Sequence, residues 1–268
     1  MRRNLDDWSL ISFRPRVLRD VENIDMRRSV LGHDSQYPFF VSSMGTFGSA
    51  HPCAAFGLVK GIVPKGVHTV ISTASSKTAE EIMQTLLDQQ KGRRYKGQWI
   101  TVDAPVLSKR NEDRYLQAQE ALELGVEEEA KPFVKEAGGE NSFAPAFGDL
   151  KWIREEWTGL VVLNPIRIYY PEVLSSIDVD GGLPDGADVL EALCLGDTAV
   201  GIGRPILYAL AAYGAAGVEK CPDILAEELS IGMRLLGITS LDQVNPDLVN
   251  ASRLLSDIWR PDMLPSRL

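Results

Sequence analysis

The stretch DVDGGLPDGADVLEALCLGDTAVGIGRP, residues 178–205, decides the fold. It contains two buried-strand patterns, one ending in Asp180-Gly181-Gly182 and the other in Gly201-Ile202-Gly203-Arg204. Between them, residues 185–195 carry a helix pattern with an acidic start and Gly196 as the C-terminal stop. A strand, a helix and a second apolar strand in succession are typical of a parallel sheet covered by helices.

The same alternation extends through the rest of the chain. Six apolar strand patterns lie at 37–43, 68–76, 98–105, 159–165, 175–182 and 197–205. Helix patterns occupy 52–65, 78–90, 112–136, 150–157, 185–195 and 218–236, followed by a last short helix near residue 240. This order predicts an α/β fold, either a TIM-type (β/α) barrel or an open doubly wound sheet.

Two of the helix starts carry the spacing of a capping box, in which a hydroxyl and a later Glu or Gln each bond the other's backbone N–H. The first pair is Thr78 with Glu81, and the second is Ser240 with Gln243. Each pair predicts that a helix begins directly after its hydroxyl residue.

The strand ends in this pattern are small or polar, and parallel α/β folds bind ligands at such ends. Glycines Gly181, Gly182 and Gly203 let a ligand approach the backbone closely. The turns after both strands offer free N–H groups to an anion, and Arg204 adds a planar charged fork. The stretch therefore predicts a phosphate cup, with Asp180 placed for another polar group of the same ligand. The alternative is that the glycines only make tight turns and Arg204 pairs with a surface acid.

Composition limits the class of protein. The chain has 268 residues, which we interpret as one domain, 1–268, and its net charge of −9 argues against a general nucleic-acid binder. No apolar run approaches the ~20 residues of a membrane span. Three widely spaced cysteines without a CxxC pair indicate a reducing compartment, and we expect a cytoplasmic protein. No set of His, Cys and Asp has the spacing of metal ligands, so no metal is expected.

Several stretches together resemble the FMN-dependent L-2-hydroxy-acid dehydrogenases and oxidases, the group of glycolate oxidase, lactate oxidase and the flavin domain of cytochrome-type L-lactate dehydrogenase. The most specific are TVDAP and the combination of DGG with GIGRP. The matching stretches, in family order, are FRPRVLRDVENIDMRRSVLG (13–32), AHP (50–52), VISTASSKTAEEI (70–82), TVDAPVLSKRNEDR (101–114), 188–220 and ELSIGMRLLGITSLDQV (228–244).

The resemblance implies an eight-stranded β/α barrel that binds FMN at the C-terminal ends of its strands. It implies that a small L-2-hydroxy acid of the lactate or glycolate type is oxidised to the 2-oxo acid, and that the protein forms a homo-oligomer. By resemblance, backbone near Gly45 contacts the flavin, and Thr73 and Thr101 bond its ring. Arg110 matches the arginine that helps bind the substrate carboxylate. The ribityl phosphate is held by Asp180, Gly181, Gly182, Gly203 and Arg204.

Two internal pieces of the family pattern are missing. KGQW (96–99) runs straight into ITVDAP (100–105), where the family has a strand ending in Gln-Leu-Tyr and then a helix. REEWTGL (154–160) joins VVLNP (161–165) directly, where the family has a strand ending in Lys-Gly, a helix, and a strand ending in Ser-Asn-His-Gly-Gly-Arg. The barrel is therefore predicted to be incomplete, with about six of its eight strands.

The missing pieces carry the family's flavin-facing lysine, its proton-accepting histidine and a substrate arginine. The three histidines present, His33, His51 and His68, follow no late strand, so we assign no catalytic residue. Leu183-Pro184-Asp185 also replaces a small residue and two arginines, which removes one phosphate partner. We therefore expect slow or no turnover. One alternative is a non-catalytic remnant that binds FMN or another phosphate and acts through subunit association; another is a different phosphate-binding barrel enzyme.

Overall fold

The structure is a computed structural model that describes residues 6–30, 32–45, 47–72, 75, 77–88, 97–101, 160–164, 179–180 and 182–257. The helices expected at 112–136 and 150–157 lie outside these ranges. The described strands are β1 (Ser12–Phe13), β2 (Arg28–Val30), β3 (His33–Ser35), β4 (Phe39–Val41), β5 (Gly97–Thr101), β6 (Leu160–Asn164), β7 (Val179–Asp180), β8 (Val200–Ile202) and β9 (Val249–Asn250). The described α-helices are α1 (Phe47–Ala50), α2 (Ala54–Ile62), α3 (Ala79–Asp88), α4 (Gly186–Cys194), α5 (Arg204–Leu235) and α6 (Ser252–Asp257).

Three of the described strands form a parallel sheet in the order β4–β8–β7. Residues 68–70 extend this sheet beyond β4, because the backbone N–H of Val41 donates to the His68 carbonyl and that of Val70 donates to the Val41 carbonyl, both at 2.9 Å. β4, the first described parallel strand, therefore lies next to β8, the last one. A closed β/α barrel requires that neighbourhood.

Five of the six predicted strands are present in the described ranges, and several are shorter than their sequence patterns. β5 and β6 pair in parallel along five residues each, from Gly97 opposite Leu160 to Thr101 opposite Asn164. The pattern at 68–76 makes only a single bridge, at Thr69, within the described residues. Two small antiparallel pairs, β1–β9 and β2–β3, lie outside the parallel strands.

The helix starts test the two capping boxes. The first is confirmed: Thr78 N–H donates to Glu81 Oε2 at 2.9 Å, and Glu81 N–H donates to Thr78 Oγ1 at 3.2 Å. The second prediction was wrong in its geometry, because the Ser240 side chain caps nothing. The segment after it is only a three-residue 3₁₀ turn, and Gln243 Oε1 instead accepts the Thr239 N–H at 2.8 Å.

Helix α5 is longer than its sequence pattern indicates. It begins at Arg204 rather than near Val218, and Pro205 occupies its first turn, where a missing N–H costs nothing. Gly214 interrupts it with φ +59° and ψ −144°, a backbone conformation that glycine adopts without steric cost. The helix therefore consists of two rods joined at Gly214.

Helices α2 and α5 pack closely along the parallel sheet. Leu58, Val59 and Ile62 of α2 and Leu210 and Val218 of α5 are all fully buried, at 0% exposure. The approach is close enough that a Cβ placed on Gly61 would lie 2.6 Å from the Ala215 carbonyl oxygen and 2.8 Å from the Glu219 nitrogen. One buried cluster connects this packing with residues from Ile11 to Val249. Within the described ranges, no helix combines the length and apolarity needed to cross a membrane.

We predict that Gly61→Ala destabilises the protein, although alanine is the better helix former. The propensity gain is about 1 kcal/mol, whereas forcing a methyl group against backbone atoms costs about 1–3 kcal/mol, so a net loss of about 1 kcal/mol is expected. Urea unfolding followed by circular dichroism measures the difference. Lys60→Ala, at an exposed neighbouring position of α2, is the control and should stay within about 0.5 kcal/mol of wild type. An unchanged or raised stability of Gly61→Ala would contradict the close approach.

Candidate functional site

The parallel sheet brings most of the predicted cofactor residues to one edge. Asp180 pairs with Gly201 across β7 and β8, and Val41 pairs with Ile202 across β4 and β8. The segments that follow these three strands therefore leave the sheet at the same edge. Asp180 is the last residue of β7, and the segments after the strands carry Gly45, Gly182, Gly203 and Arg204.

The N-terminus of α5 is the part of this edge best suited to an anion. Gly203 occupies the N-cap position and has no side chain to cap the helix, so the positive end of α5 is open. A Cβ on Gly203 would meet only Met44 Sδ, at 3.5 Å, so the segment after β4 lies against this glycine. Gly182, which follows β7, turns away from the strand with φ +77°.

Arg204 makes no hydrogen bond or ion pair with another residue in the described part of the chain, and its side chain is half-buried. The alternative in which Arg204 pairs with a surface acid therefore finds no such acid among those residues. A guanidinium that has no partner among the described residues, directly after an uncapped helix start, matches the requirements of a phosphate group.

The start of α4 is built differently. Asp185 Oδ1 accepts the N–H groups of Ala187 and Asp188, at 2.9 and 3.0 Å, and Glu228 Oε2 accepts the Gly186 N–H at 2.8 Å. The first-turn amides of α4 are thus already bonded to carboxylates of the chain itself. Asp185, which stands where the family has an arginine, is committed to this cap. Only the β8–α5 side of the predicted cup offers an open helix start.

The remaining predicted residues are not tested by the described geometry. Thr101 is the last residue of β5, in the other parallel pair, where only its backbone is described. Thr73, Arg110 and Gly181 lie outside the described residues. The groove between α4, α5 and β1, lined by Phe13, Asp185, Ala187, Glu228, Ile231, Gly232 and Leu235, contains none of the predicted cofactor residues.

All three histidines of the chain are described, and none follows β7 or β8. His33 belongs to β3, and its ring lies 6.1 Å from that of His68, which begins the segment beside β4. His51 lies between α1 and α2 and contacts Cys53. No histidine therefore takes the position after a late strand where the family has its proton acceptor.

The acidic face of α4 is a feature that sequence analysis missed. Asp185, Asp188 and Glu191 recur every three residues, a spacing that places them on neighbouring positions of one helix face. Glu191 is only 7% exposed and its Oε2 has no hydrogen-bond partner. In the described ranges, no group of His, Cys, Asp and Glu is arranged to hold a metal ion.

Burial raises the pKa of two carboxyl groups on this face. Desolvation, followed by the charges of Asp188 and Asp185, raises the pKa of Glu191 to about 7. Desolvation and the neighbouring Asp185 raise the pKa of Asp188 to about 6. Burial also raises the pKa of the Cys194 thiol to about 12, so this thiol stays protonated at neutral pH.

We predict that Glu191→Gln stabilises the protein above pH 7 and has little effect near pH 4.5. Folded Glu191 keeps a proton that the unfolded chain releases from its ordinary pKa of 4.5, so wild-type stability falls as pH rises from 4.5 to about 7. The gain from the neutral glutamine at pH 8 is about 2 kcal/mol. Urea unfolding at pH 5 and pH 8 measures it, with Glu227→Gln, an exposed acid on α5, as the control. Equal pH dependence in both variants and wild type would rule out this role of Glu191.

Curated proteins match most of this chain. L-lactate dehydrogenase (cytochrome) of Saccharomyces cerevisiae is 29% identical over 94% of this chain, and that of Wickerhamomyces anomalus is 27% identical over 93% of it. In each case the match covers only 56% of the relative's own length. Glycolate oxidase 1 of Zea mays is 25% identical in an alignment over 339 residues. That alignment covers the whole of this chain and 90% of the maize protein.

Solved structures of related enzymes also match most of this chain. A double mutant of flavocytochrome b2 with pyruvate bound matches 97% of this chain and 80% of its own, with 26% identity and a TM-score of 0.80. (S)-mandelate dehydrogenase from Pseudomonas putida shares the fold at 19% identity, with a TM-score of 0.76 over 93% of this chain and 90% of its own. These neighbours are TIM-barrel flavoenzymes, so the α/β fold with parallel strands is of that type.

The sequence profile of the FMN-dependent dehydrogenases matches residues 1–169 and 172–251. This match confirms the resemblance found in the sequence, and it confirms FMN as the cofactor of the group. The chain belongs to the FMN-dependent dehydrogenase family.

Proposed function

We propose that this protein binds FMN and oxidises a small L-2-hydroxy acid, of the lactate or glycolate type, to the 2-oxo acid. The observation that carries the proposal is the open N-terminus of α5 with Arg204, which has no partner among the described residues. Both lie at the edge where Gly45, Asp180 and Gly182 also lie. The names of the relatives support the substrate class, because they are lactate dehydrogenases and glycolate oxidases.

In this proposal the phosphate of FMN is held by the backbone N–H and guanidinium of Arg204, at the positive end of α5. Gly203 leaves the approach to the helix start open, and Asp180 accepts a hydrogen bond from the ribityl chain. When bound, FMN supplies a two-electron acceptor for the hydride that leaves C2 of the hydroxy acid. Backbone near Gly45 and the hydroxyls of Thr73 and Thr101 orient the ring, and Arg110 binds the substrate carboxylate; these roles come from the resemblance.

We further propose that the barrel has about six of its eight strands and that turnover is slow. The alignment with the maize oxidase extends over 339 residues, whereas this chain has 268, which supports the loss of internal segments. Hydride removal from a 2-hydroxy acid needs a base that accepts the hydroxyl proton, and histidine suits neutral pH best. None of His33, His51 and His68 follows a late strand, so that base is lacking.

The non-catalytic remnant is not favoured as an alternative, because the family match runs through both halves of the chain. We also propose that residues 1–268 form one domain, supported by a buried cluster that joins residues from Ile11 to Val249. Association between copies stays a proposal by resemblance.

We predict that Arg204→Ala weakens FMN binding about 10–100-fold, because a hydrogen bond to a charged group contributes about 1.5–3 kcal/mol. Titration of flavin fluorescence with the apoprotein measures the dissociation constant. Arg253→Ala, which removes an exposed arginine on α6, is the control and should bind FMN as wild type does. Equal affinities of the two variants would sink the assignment of Arg204, and a wild-type protein that binds no FMN would sink the proposed cofactor site.

The expected rate is tested separately on the FMN-loaded protein. We expect L-lactate or glycolate to bleach the flavin absorbance under anaerobic conditions at least about 100-fold more slowly than in a complete family member, since general-base catalysis contributes about 10²–10⁴-fold. Stopped-flow absorbance with a maize-type glycolate oxidase as the reference measures this ratio. Bleaching at the reference rate would refute slow turnover while leaving the proposed oxidation intact, and no bleaching at all would refute the oxidation.

A further inference from the structure

Outside the proposed flavin site, Cys53 and His51 form a thiol–imidazole pair where α1 gives way to α2. Cys53 Sγ lies 2.8 Å from His51 Nδ1, and the backbone N–H of Cys53 donates to the same nitrogen at 3.1 Å. A backbone N–H can only donate, so Nδ1 must carry a lone pair and the neutral ring has its proton on Nε2. The thiol is therefore the donor in the Sγ···Nδ1 contact, and the imidazole is placed to take its proton.

Two glycines on different helices make room for the pair. A Cβ on Gly57 of α2 would lie 2.2 Å from Cys53 Sγ, so any other residue there would displace the thiol. A Cβ on Gly214 of α5 would lie 3.3 Å from both Cε1 and Nε2 of His51. The interruption of α5 at Gly214 thus coincides with the place where the imidazole packs against it. The pair is held from both sides rather than formed by two mobile side chains.

Cys53 lies at a helix start that carries no acidic side chain. The residue directly precedes the nine-residue helix α2, whose first turn carries no acid, and its side chain makes no bond to the helix backbone. The positive end of a helix attracts negative charge that develops on an atom beside it. Cys53 is also partly exposed, so a small reagent can reach it.

The other two cysteines are the opposite case. Cys194 and Cys221 are buried, and burial raises the pKa of their thiols to about 12 and about 11. Neither shows a histidine contact among the described residues. They are therefore internal references for an unreactive thiol in the same molecule.

We propose that Cys53, with His51 as its base, is a modification site for hydrogen peroxide. Nδ1 of His51 takes the thiol proton, and Sγ attacks one peroxide oxygen as the O–O bond breaks. The leaving hydroxide takes the proton from the imidazolium and departs as water. The sulfur is oxidised by two electrons to a sulfenic acid, and the peroxide is reduced by the same two. This site does not depend on the proposed flavin chemistry.

The test uses the full chain at pH 7, treated with hydrogen peroxide in the presence of dimedone, which traps sulfenic acids. Peptide mass spectrometry then gives the rate at each cysteine. We expect Cys53 to be labelled at least about tenfold faster than N-acetylcysteine under the same conditions, and far faster than Cys194 or Cys221. Labelling of Cys53 no faster than that of N-acetylcysteine would overturn the proposal, and this comparison needs no variant.

The matched variant is His51→Asn, whose side-chain oxygen can still accept the Cys53 N–H but cannot take a proton at neutral pH. We expect it to lower the Cys53 labelling rate about tenfold with the melting temperature within a few degrees of wild type. His33→Asn, which replaces a histidine of β3, should leave the rate unchanged. An unchanged rate in His51→Asn, or an equal loss in both variants, would mean that His51 only supports the turn.

Discussion

The pairing of β8 with a strand on each side is the constraint on which the rest of the structure depends. β8 has only three residues, all buried, yet it bonds β4 along one edge and β7 along the other. This pairing fixes where Gly203 leaves the sheet, and so where α5 begins. The open helix start, the placement of Arg204 and the packing of α5 on α2 all follow from the register of this short strand.

Much of the parallel architecture could be predicted from the sequence, because β4, β8 and α4 carry strong local signals. The apolar run of β4 ends in Ser42 and Ser43, that of β8 ends at Gly203, and Asp185 and Gly196 mark the two ends of α4. The first rod of α5 carried no such signal. This rod, residues 204–213, exposes Tyr208 and Tyr213 on one side and buries Leu210 against α2 on the other. Tertiary packing therefore decided the element that sequence patterns missed.

In the candidate site, too, some features could be predicted from the sequence and others could not. Gly203 and Arg204 could be proposed as phosphate ligands from a short motif, although the sequence did not predict the helix that begins at Arg204. The fate of Asp185 could not, because its role depends on Glu228, which lies 43 residues further along and joins it in bonding the amides of α4. Likewise, Glu191 is an ordinary helix residue in the sequence, and only its burial against other carboxylates changes its protonation.

The pairing of β4 with β8 also limits when this sheet can form. Val41 and Ile202 lie about 160 residues apart in the chain, so their pairing has a high contact order and a large loop-closure cost. During synthesis β4 cannot pair with β8 until residues 200–202 have left the ribosome. We therefore expect this sheet to form slowly, with the apolar run at 37–43 incompletely covered until β8 has been made.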